Sequence, residues 1–241
     1  MPLPENRLLA ELPRGDHARL VARMTPVTFE HKMTVYRAGG PIDFVYFPRA
    51  GLMSSVVVML DGATAEVSAV GSEGMLGMSA LLGATHSAEA VYCQIMPCEC
   101  LRLPAAEFVA EVGRNDCLKK VIHGYARGVL TTFARLVACN SLHPVEARCA
   151  RWLLMSGDHM GTDEFTLTQE FLAMMLGVRR ASVTVAARSL LAAGLISYRR
   201  GCVKILDRPA LERASCECYA VVRDAIPTMG VRGTCQGGET T

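Results

Sequence analysis

The fold of the C-terminal half of this 241-residue chain is decided by one segment, Thr166–Gly201, which reads TLTQEFLAMMLGVRRASVTVAARSLLAAGLISYRRG. Thr168 is a favourable helix N-cap, and Gly177 can end that helix in the left-handed conformation. A second helix is predicted from about Arg179 to Ala193, followed by a short hairpin with Gly201 at its tip. Helix, tight turn, helix and hairpin in this order indicate a winged helix-turn-helix.

The charge of this segment is unbalanced. Residues 166–206 carry a net charge of +5, whereas the whole chain carries +2. The only acid is Glu170, and the cations are Arg179, Arg180, Arg188, Arg199, Arg200 and Lys204. A positive face of this kind favours a polyanionic partner such as double-stranded DNA. The alternative is an ordinary solvated helical hairpin with surface arginines.

The second helix has two faces when it is drawn at 100° per residue. The side predicted to be buried consists of Val183, Ala186, Ala187, Leu190 and Leu191. The opposite side carries Ala181, Thr184, Val185, Arg188 and Ala192. Because the N-terminal residues of a recognition helix meet base edges, we expect base contacts from Arg179, Arg180, Ser182 and Thr184. Phosphate contacts are expected from Arg188, Arg199, Arg200 and Lys204, with hydrogen bonds added by Thr168 and Gln169.

The N-terminal part has a sequence pattern typical of short β-strands. Residues 27–103 alternate short β-branched or aromatic runs with turn formers, and Asp61-Gly62 is a hairpin signal. Helical spacing within residues 1–25 predicts short helices, and SEGMLGMSALLGATH predicts another inside the sheet domain. The fold class is therefore α+β, with an N-terminal antiparallel barrel or sandwich.

A long helix is predicted over residues 116–139. It has apolar positions at alternating spacings of four and three, as in a coiled-coil seam: Leu118, Ile122, Tyr125, Val129, Thr132, Leu136 and Cys139. This pattern predicts a homodimer, with a second face (Val121, Phe133, Val137) packing on the barrel. An ordinary core helix with one wide stripe is the alternative. Asn140-Ser141 is the expected hinge.

The totals exclude several classes of protein. Hydrophobic residues make up 51% of the chain and charged residues 20%, which suits a folded protein. No apolar run is long enough for a membrane helix, and no secretion signal is present, so we expect a cytoplasmic protein with ten reduced cysteines. No phosphate-binding loop, catalytic triad or carboxylate pair indicates an enzyme.

The order of these parts resembles the CRP/FNR family of bacterial transcription regulators over about residues 5–210. The most specific match is LTQEFLAMMLGVRRASVTVAARSLLAAGLISYRRG, and YFPRAGLMSSVVVMLDGATAEVSAVGSEGMLGMSALLG is similar to the family's β-roll. The resemblance implies a homodimer on a near-palindromic operator. It divides the chain into a β-roll sensor (1–115), a dimerisation helix (116–139), a winged helix-turn-helix (140–210) and an extension (211–241).

The departures from the family concern the signal. Members that bind cyclic AMP carry Phe-Gly-Glu and Arg-Ser, where this chain has Leu76-Gly77-Met78 and His86-Ser87. A neutral histidine is a poor phosphate clamp, so a signal other than cyclic AMP is expected. The first cysteine is Cys93, so the N-terminal ligands of an iron–sulfur cluster are missing. The resemblance places the effector pocket near Glu73, Gly77, His86 and Ser87.

Several alternatives stay open. The chain could respond to a cyclic nucleotide or to thiol oxidation, could act without an effector, or could be a small-molecule module that contacts protein partners. No metal site or required cofactor is predicted, because Cys98-x-Cys100 and Cys216-x-Cys218 lack zinc spacing and a nearby histidine. We expect DNA, a second copy and RNA polymerase as partners, and a disordered end to the extension. Ala181 and Val185 replace the family's usual recognition residues, so no operator sequence is implied.

Overall fold

The computed structural model describes residues 5–62, 64–199 and 201–226. The N-terminal elements are α1 (Arg7–Ala10), α2 (Arg14–Val21), β1 (Thr25–Phe29), β2 (Thr34–Tyr36), β3 (Phe44–Val58), β4 (Thr64–Val70), a 3-10 helix (Met78–Leu82) and β5 (Ala90–Pro104). The C-terminal elements are α3 (Ala105–Arg114), α4 (Asp116–Leu142), α5 (Val145–Met160), β6 (Glu164–Thr166), α6 (Gln169–Leu176), α7 (Arg180–Ala192), β7 (Ile196–Arg199), β8 (Cys202–Ile205), α8 (Arg208–Ala214) and α9 (Cys218–Ala225). Among the helices of these described ranges, none is both long and apolar enough to cross a membrane.

The N-terminal strands form one curled antiparallel sheet in the order β1-β5-β3-β4, with β2 also paired to β5. The long strands β3 and β5 bend where their register shifts, and Gly51, with φ of 81°, lies at one shift. Such bulges increase the local twist and let a sheet curl. The predicted antiparallel β-roll is confirmed as a half-barrel, and the predicted short helices are present, the one inside the sheet domain as a 3-10 turn.

The cysteines of β5 depart from expectation. Cys93 and Cys98 are joined by a disulfide, whereas the sequence predicted reduced thiols throughout. Both are fully buried, as is Cys100, and all three belong to the core of the roll. These cysteines therefore act as small apolar core residues.

Helix α4 uses its first half differently from the prediction. Leu118, Ile122 and Tyr125 are 1%, 0% and 3% exposed because they pack inside the core of their own β-roll. They cannot offer a contact to a second copy, so this half of the predicted seam is wrong. Of the remaining members, Val129, Thr132 and Leu136 are half-buried, and Cys139 is fully buried beside Cys216 and Cys218. The apolar spacing correctly identified buried positions in the first half of α4, but these side chains pack against their own chain and not against a second copy.

The far side of α4 carries the apolar surface instead. Leu130 and Val137 are 66% and 71% exposed, although Val137 was expected to pack on the roll. The helix also runs on to Leu142, past the predicted end at 139, so Asn140-Ser141 is helical. The chain turns at His143-Pro144, because proline disfavours a helical residue before it.

The C-terminal domain has its own apolar core, built from α5, α6, α7 and a three-stranded sheet in the order β6-β8-β7. Strands β7 and β8 are the predicted hairpin, and β6 is an additional strand that the sequence analysis missed. Two side chains of the β-roll, Leu52 and Ile95, are buried in this core. The two domains are therefore packed against each other.

The predicted extension is partly an integral element. Helix α9 packs along α4 and α5. A Cβ at Gly128 of α4 would lie 2.2 Å from the carbonyl oxygen of Ala225, so this close approach requires glycine. Ile226 joins the core of the β-roll, while Tyr219 joins the core of the C-terminal domain. The predicted disordered end lies outside the described residues.

A buried ion pair joins the two domains. Glu73 accepts a hydrogen bond from the Gly71 N–H, and its carboxylate lies 2.9 Å from His159 Nδ1 on α5 and 3.5 Å from Arg7 Nη2 on α1. Burial disfavours the charge, but the contact with His159 outweighs it and lowers the pKa of Glu73. Burial likewise opposes the charge of His159, and the contact with Glu73 nevertheless raises the pKa of His159.

The charge-removing substitution Glu73→Gln should lower the free energy of unfolding by about 3 kcal/mol near pH 5.5, since it strands a buried cation. The contribution of Glu73 is present above its unfolded pKa of 4.5 and is lost as pH falls through the lowered folded value. That of His159 is present below 6.5 and is lost as pH rises through the raised folded value.

Urea unfolding of the unsubstituted protein and of Glu73→Gln, at several pH values, measures the difference in their free energies of unfolding. The exposed Glu30→Gln is the control and should be neutral. A deficit in Glu73→Gln that stays equal from about pH 5.5 to about pH 9 would contradict a role for charge.

Candidate functional site

Helix α6 is capped at both ends. The Thr168 hydroxyl accepts the Phe171 N–H at the start of α6, and Gly177 ends that helix with φ of 61°. Arg148 of α5 donates to the Leu176 carbonyl, which would otherwise lack a partner at the helix end. The predicted helix–turn–helix is thus present, with the cap residues expected from the sequence.

Helix α7 buries one face and exposes the other. Val183, Ala186, Ala187 and Leu190 lie in the core, whereas Leu191, predicted to be buried, is 37% exposed. The outward face carries Ala181, Val185 and Arg188. The small side chains on this face leave room for close approach by a partner.

Four arginines of the helix-turn-helix and the hairpin that follows it are exposed. Arg179 and Arg180 lie at the start of α7, Arg188 lies two turns further, and Arg199 ends β7. Among residues 5–62, 64–199 and 201–226, no carboxylate lies within ion-pair distance of these four guanidiniums. Their charges therefore remain available to an anionic partner.

Lys204 differs from these arginines. Its Nζ lies 3.3 Å from Glu164 Oε2 on the neighbouring strand β6, an acid just outside the segment counted in the sequence analysis. Both side chains are more than half exposed, and such surface pairs contribute at most about 1 kcal/mol. The predicted phosphate contact of Lys204 would have to replace this pair. Arg200 lies outside the described residues.

Two predicted contact residues are engaged with each other. The Thr184 hydroxyl lies 2.9 Å from Gln169 Oε1, which links α7 to the start of α6, and 3.1 Å from the Arg180 carbonyl. Thr184, Gln169 and Ser182 are half-buried. Thr184 and Gln169 therefore also position the recognition helix, a role that sequence reasoning did not assign.

A cavity of about 310 Å³ lies between the two domains. Its walls come from β4, the loop before the 3-10 helix, the middle of α4 and the inner face of α5. Polar groups on the wall include Ser55, Glu66, Asn140, Arg151 and Ser156. The sequence analysis missed these residues, because they come from separate elements that only the fold brings together.

Glu66 is the central polar group of this cavity. Its carboxylate accepts hydrogen bonds from the Ser54 hydroxyl at 2.6 Å and from the Trp152 indole N–H at 3.1 Å. Although the side chain keeps some solvent exposure, desolvation outweighs these bonds and raises the pKa of Glu66 to about 7. Glu66 therefore connects the β-roll to α5 and can change its charge near neutral pH.

The predicted effector residues divide into two groups. Gly77, Ser87 and Glu73 line the cavity, although Glu73 is already paired with His159. His86 is exposed, contacts Thr85 and lies away from the cavity wall. The placement of His86 in the pocket was therefore wrong. The Ser87 hydroxyl donates to the Glu89 carbonyl at 2.8 Å.

Comparisons with known proteins agree with this architecture. A family model described as a cyclic nucleotide-binding domain matches residues 26–115, and one described as a Crp-like helix-turn-helix domain matches residues 147–214. A comparison with curated proteins finds no significant match.

Solved structures share the fold at low sequence identity. FixK2 from Bradyrhizobium japonicum is 14% identical with a TM-score of 0.70, and the match covers 80% of this chain and 98% of FixK2. A putative CRP/FNR-family regulator from Eubacterium rectale is 16% identical with a TM-score of 0.65, covering 87% and 100%. The c-di-GMP-responsive regulator CLP from Xanthomonas campestris is 17% identical with a TM-score of 0.65, covering 80% and 99%.

These likenesses by themselves establish the fold, whereas the two family models match the sensor and the DNA-binding part in the order typical of one family. With that order and the observed β-roll, long helix and helix-turn-helix, the chain belongs to the CRP/FNR family of DNA-binding transcription regulators.

Proposed function

We propose that the chain acts as a homodimer that binds a near-palindromic operator through α7 and regulates transcription in response to a signal at the interdomain cavity. The observation that carries this proposal is the set Arg179, Arg180 and Arg188, which has no carboxylate partner among the described residues and flanks small side chains on the exposed face of α7. Arginine at the start of such a helix can read guanine with two hydrogen bonds. RNA polymerase as a further partner and a cytoplasmic location follow from this role.

The proposed division of the chain is a sensor over 1–115, a dimerisation helix from 116 and a DNA-binding domain over 140–210. In this division Arg179, Arg180, Ser182 and Thr184 lie nearest to the bases. Phosphates are assigned to Thr168, Gln169, Arg188, Arg199, Arg200 and Lys204. Helix α4, which links the two domains, also supplies the contact between copies.

We place the dimer contact on the exposed stripe of α4. Leu130 and Val137 are seven residues apart, and Ala134 lies between them on the same side. A spacing of seven residues keeps side chains on one seam of a coiled coil. This stripe replaces Leu118, Ile122 and Tyr125, which are in the core, and it leaves the half-buried Val129, Thr132 and Leu136 at its edge.

The cavity favours a signal other than cyclic AMP. Three carboxylates, Glu66, Glu73 and Glu89, line it; among the described residues the cationic groups on the wall are Arg151 and His159, and His159 is already paired with Glu73. A cyclic phosphate needs a cation or several N–H donors to replace its water. We therefore assign the cavity to a small neutral or cationic effector that binds one arrangement of the two domains better than another.

Arg180→Ala should weaken binding to operator DNA by about 1–3 kcal/mol and relax preference at one position in each half-site. Fluorescence anisotropy on promoter DNA, a set of single-position variants and random DNA measures this, without added ligand and at two salt concentrations. Arg37→Ala, an exposed arginine of the sensor, should change nothing. An equal loss on every sequence would reassign Arg180 to a phosphate, and no binding by the unsubstituted protein at low salt would refute DNA recognition by apo protein.

The double substitution Leu130→Glu/Val137→Glu should convert the dimer to monomers, since opposed carboxylates replace an apolar seam. Sedimentation velocity measures the mass, and circular dichroism checks that the helices remain. Leu206→Glu, at an exposed leucine of the C-terminal domain, is the control and should stay dimeric. A dimer that survives the double substitution would move the contact away from this stripe.

Cyclic AMP should leave the melting temperature of the protein unchanged even in large excess. A ligand at about 100 times its dissociation constant would add about 2.7 kcal/mol of stability, which thermal unfolding detects. A concentration-dependent rise with cyclic AMP, absent with AMP, would show that the pocket binds the cyclic phosphate despite its acidic wall.

A further inference from the structure

Four side chains with metal-binding atoms meet where α4 ends. Their sulfur and nitrogen atoms all lie within 4.8 Å of one another. The cluster consists of Cys139 in the last turn of α4, His143 directly after that helix, Cys216 between α8 and α9, and Cys218 at the start of α9. The three cysteines are buried and the histidine is half-buried. No residue of this cluster belongs to the DNA-binding surface or to the interdomain cavity's polar wall.

The spacing of the cluster fits a tetrahedral zinc site. Zinc binds sulfur at about 2.3 Å and imidazole nitrogen at about 2.0–2.1 Å, so neighbouring ligand atoms lie about 3.5–3.8 Å apart. Cys139 Sγ lies 3.5 Å from Cys216 Sγ, and Cys218 Sγ lies 3.6 Å from His143 Nδ1. The widest pair has to close by only about 1 Å to reach this geometry.

The histidine is oriented as a metal ligand would be. Its Nδ1 faces the sulfur of Cys218, while its Nε2 lies 3.1 Å from the carboxylate of Glu217. A carboxylate on the far nitrogen is the usual support of a zinc-bound imidazole, because it fixes the tautomer and strengthens the ligand. Glu217 stands between the two cysteines in the sequence, so one short segment supplies two ligands and the support of a third.

The charges around the cluster also favour a metal site with thiolate ligands. Arg148 and Arg151 of α5 are 6% and 4% exposed, and both lie close enough to Cys139 to interact with a charge on its sulfur. Within the described residues neither guanidinium has a carboxylate at ion-pair distance. Buried cations without counter-charge are costly. Three thiolates around one divalent cation carry a net negative charge and would supply that counter-charge.

We propose that Cys139, His143, Cys216 and Cys218 form a structural zinc site that fastens α9 to the end of α4. All four positions come from the protein, so the site is closed and has no open position for catalysis. Zinc binding at this point supports the close packing of α9 over Gly128 and the burial of Ile226 in the sensor core. The site thereby holds the turn at His143-Pro144, where the sensor joins the DNA-binding domain.

The sequence argument against a metal relied on distance along the chain. It found no histidine near Cys216-x-Cys218, yet His143 is 75 residues from Cys218 in sequence and 3.6 Å away in space. The remaining pair, Cys139 and His143, is four positions apart, and the His143 N–H closes the last turn of α4 on the Cys139 carbonyl. Each half of the site was visible in the sequence, but their meeting depends on the fold of the extension.

Metal analysis of the untagged full-length protein tests the proposal. Purified under reducing conditions, the protein should contain about one zinc ion per chain. Cys218→Ser should lose most of it, and the control Cys202→Ser, at a cysteine outside the cluster on β8, should retain it. Replacement by Co²⁺ should give the visible bands of tetrahedral cobalt together with a thiolate charge-transfer band.

A second variant separates metal binding from folding. Glu217→Gln leaves all four ligands in place. Because the Glu217 side chain is 66% exposed, the substitution should not change the circular dichroism spectrum. Its zinc affinity, measured by competition with a chromogenic chelator, should fall about 10–100-fold. Wild-type protein that takes up no zinc when reduced, that retains zinc fully in Cys218→Ser, or that binds zinc equally in Glu217→Gln would overturn the proposal. A Cys139–Cys216 disulfide with no zinc uptake after reduction would assign the cluster to redox chemistry instead.

Discussion

Helix α4 has three sides with different surroundings, and the rest of the molecule depends on how they are arranged. Its N-terminal half is buried in the β-roll through Leu118, Ile122 and Tyr125. A second side is covered by α9, which approaches so closely at Gly128 that no larger residue fits. The side that remains exposes Leu130 and Val137. The sides of α4 that the β-roll and α9 cover determine which side stays exposed. A change in how either of them packs would therefore also change the stripe that we propose as the contact with a second copy.

The two domains communicate through polar contacts that lie beside this helix. Glu73 joins the loop after β4 to His159, and Glu66 on β4 joins Trp152. The partners of these two carboxylates, His159 and Trp152, both belong to α5, the helix that also packs in one core with α6 and α7. An effector that moved Glu66 by forming or breaking a hydrogen bond would act directly on α5. Effector binding and DNA binding are then coupled if α5 can take two positions, and if the protein binds both the effector and DNA more tightly in one position than in the other.

Much of the architecture could be predicted because local signals agree with the tertiary structure. Thr168, Gly177 and the apolar positions of α7 specify the helix-turn-helix through capping and periodicity alone. The turn-forming residues between the strands likewise predicted the antiparallel sheet of the N-terminal domain. Strand β6 of the C-terminal domain was missed because three residues are too few to show an alternating pattern. The assignment of Leu118, Ile122 and Tyr125 to a dimer contact was wrong for a different reason. Apolar spacing in α4 shows which residues are buried, but it cannot distinguish burial in the same chain from burial against another.

The same limit applies to the sites. Exposed arginines could be assigned from the sequence because a helix face follows from spacing. The cavity and the cysteine–histidine cluster could not, since their members come from separate elements and meet only after α9 folds back on α4. That return is itself explained by the cluster: α9 spans eight residues, and so short a helix is not stable alone in water. Apolar packing of Val222 and Ile226 provides part of what holds it. A metal bond at its first turn would provide the rest, and it would act where sensor and DNA-binding domain join.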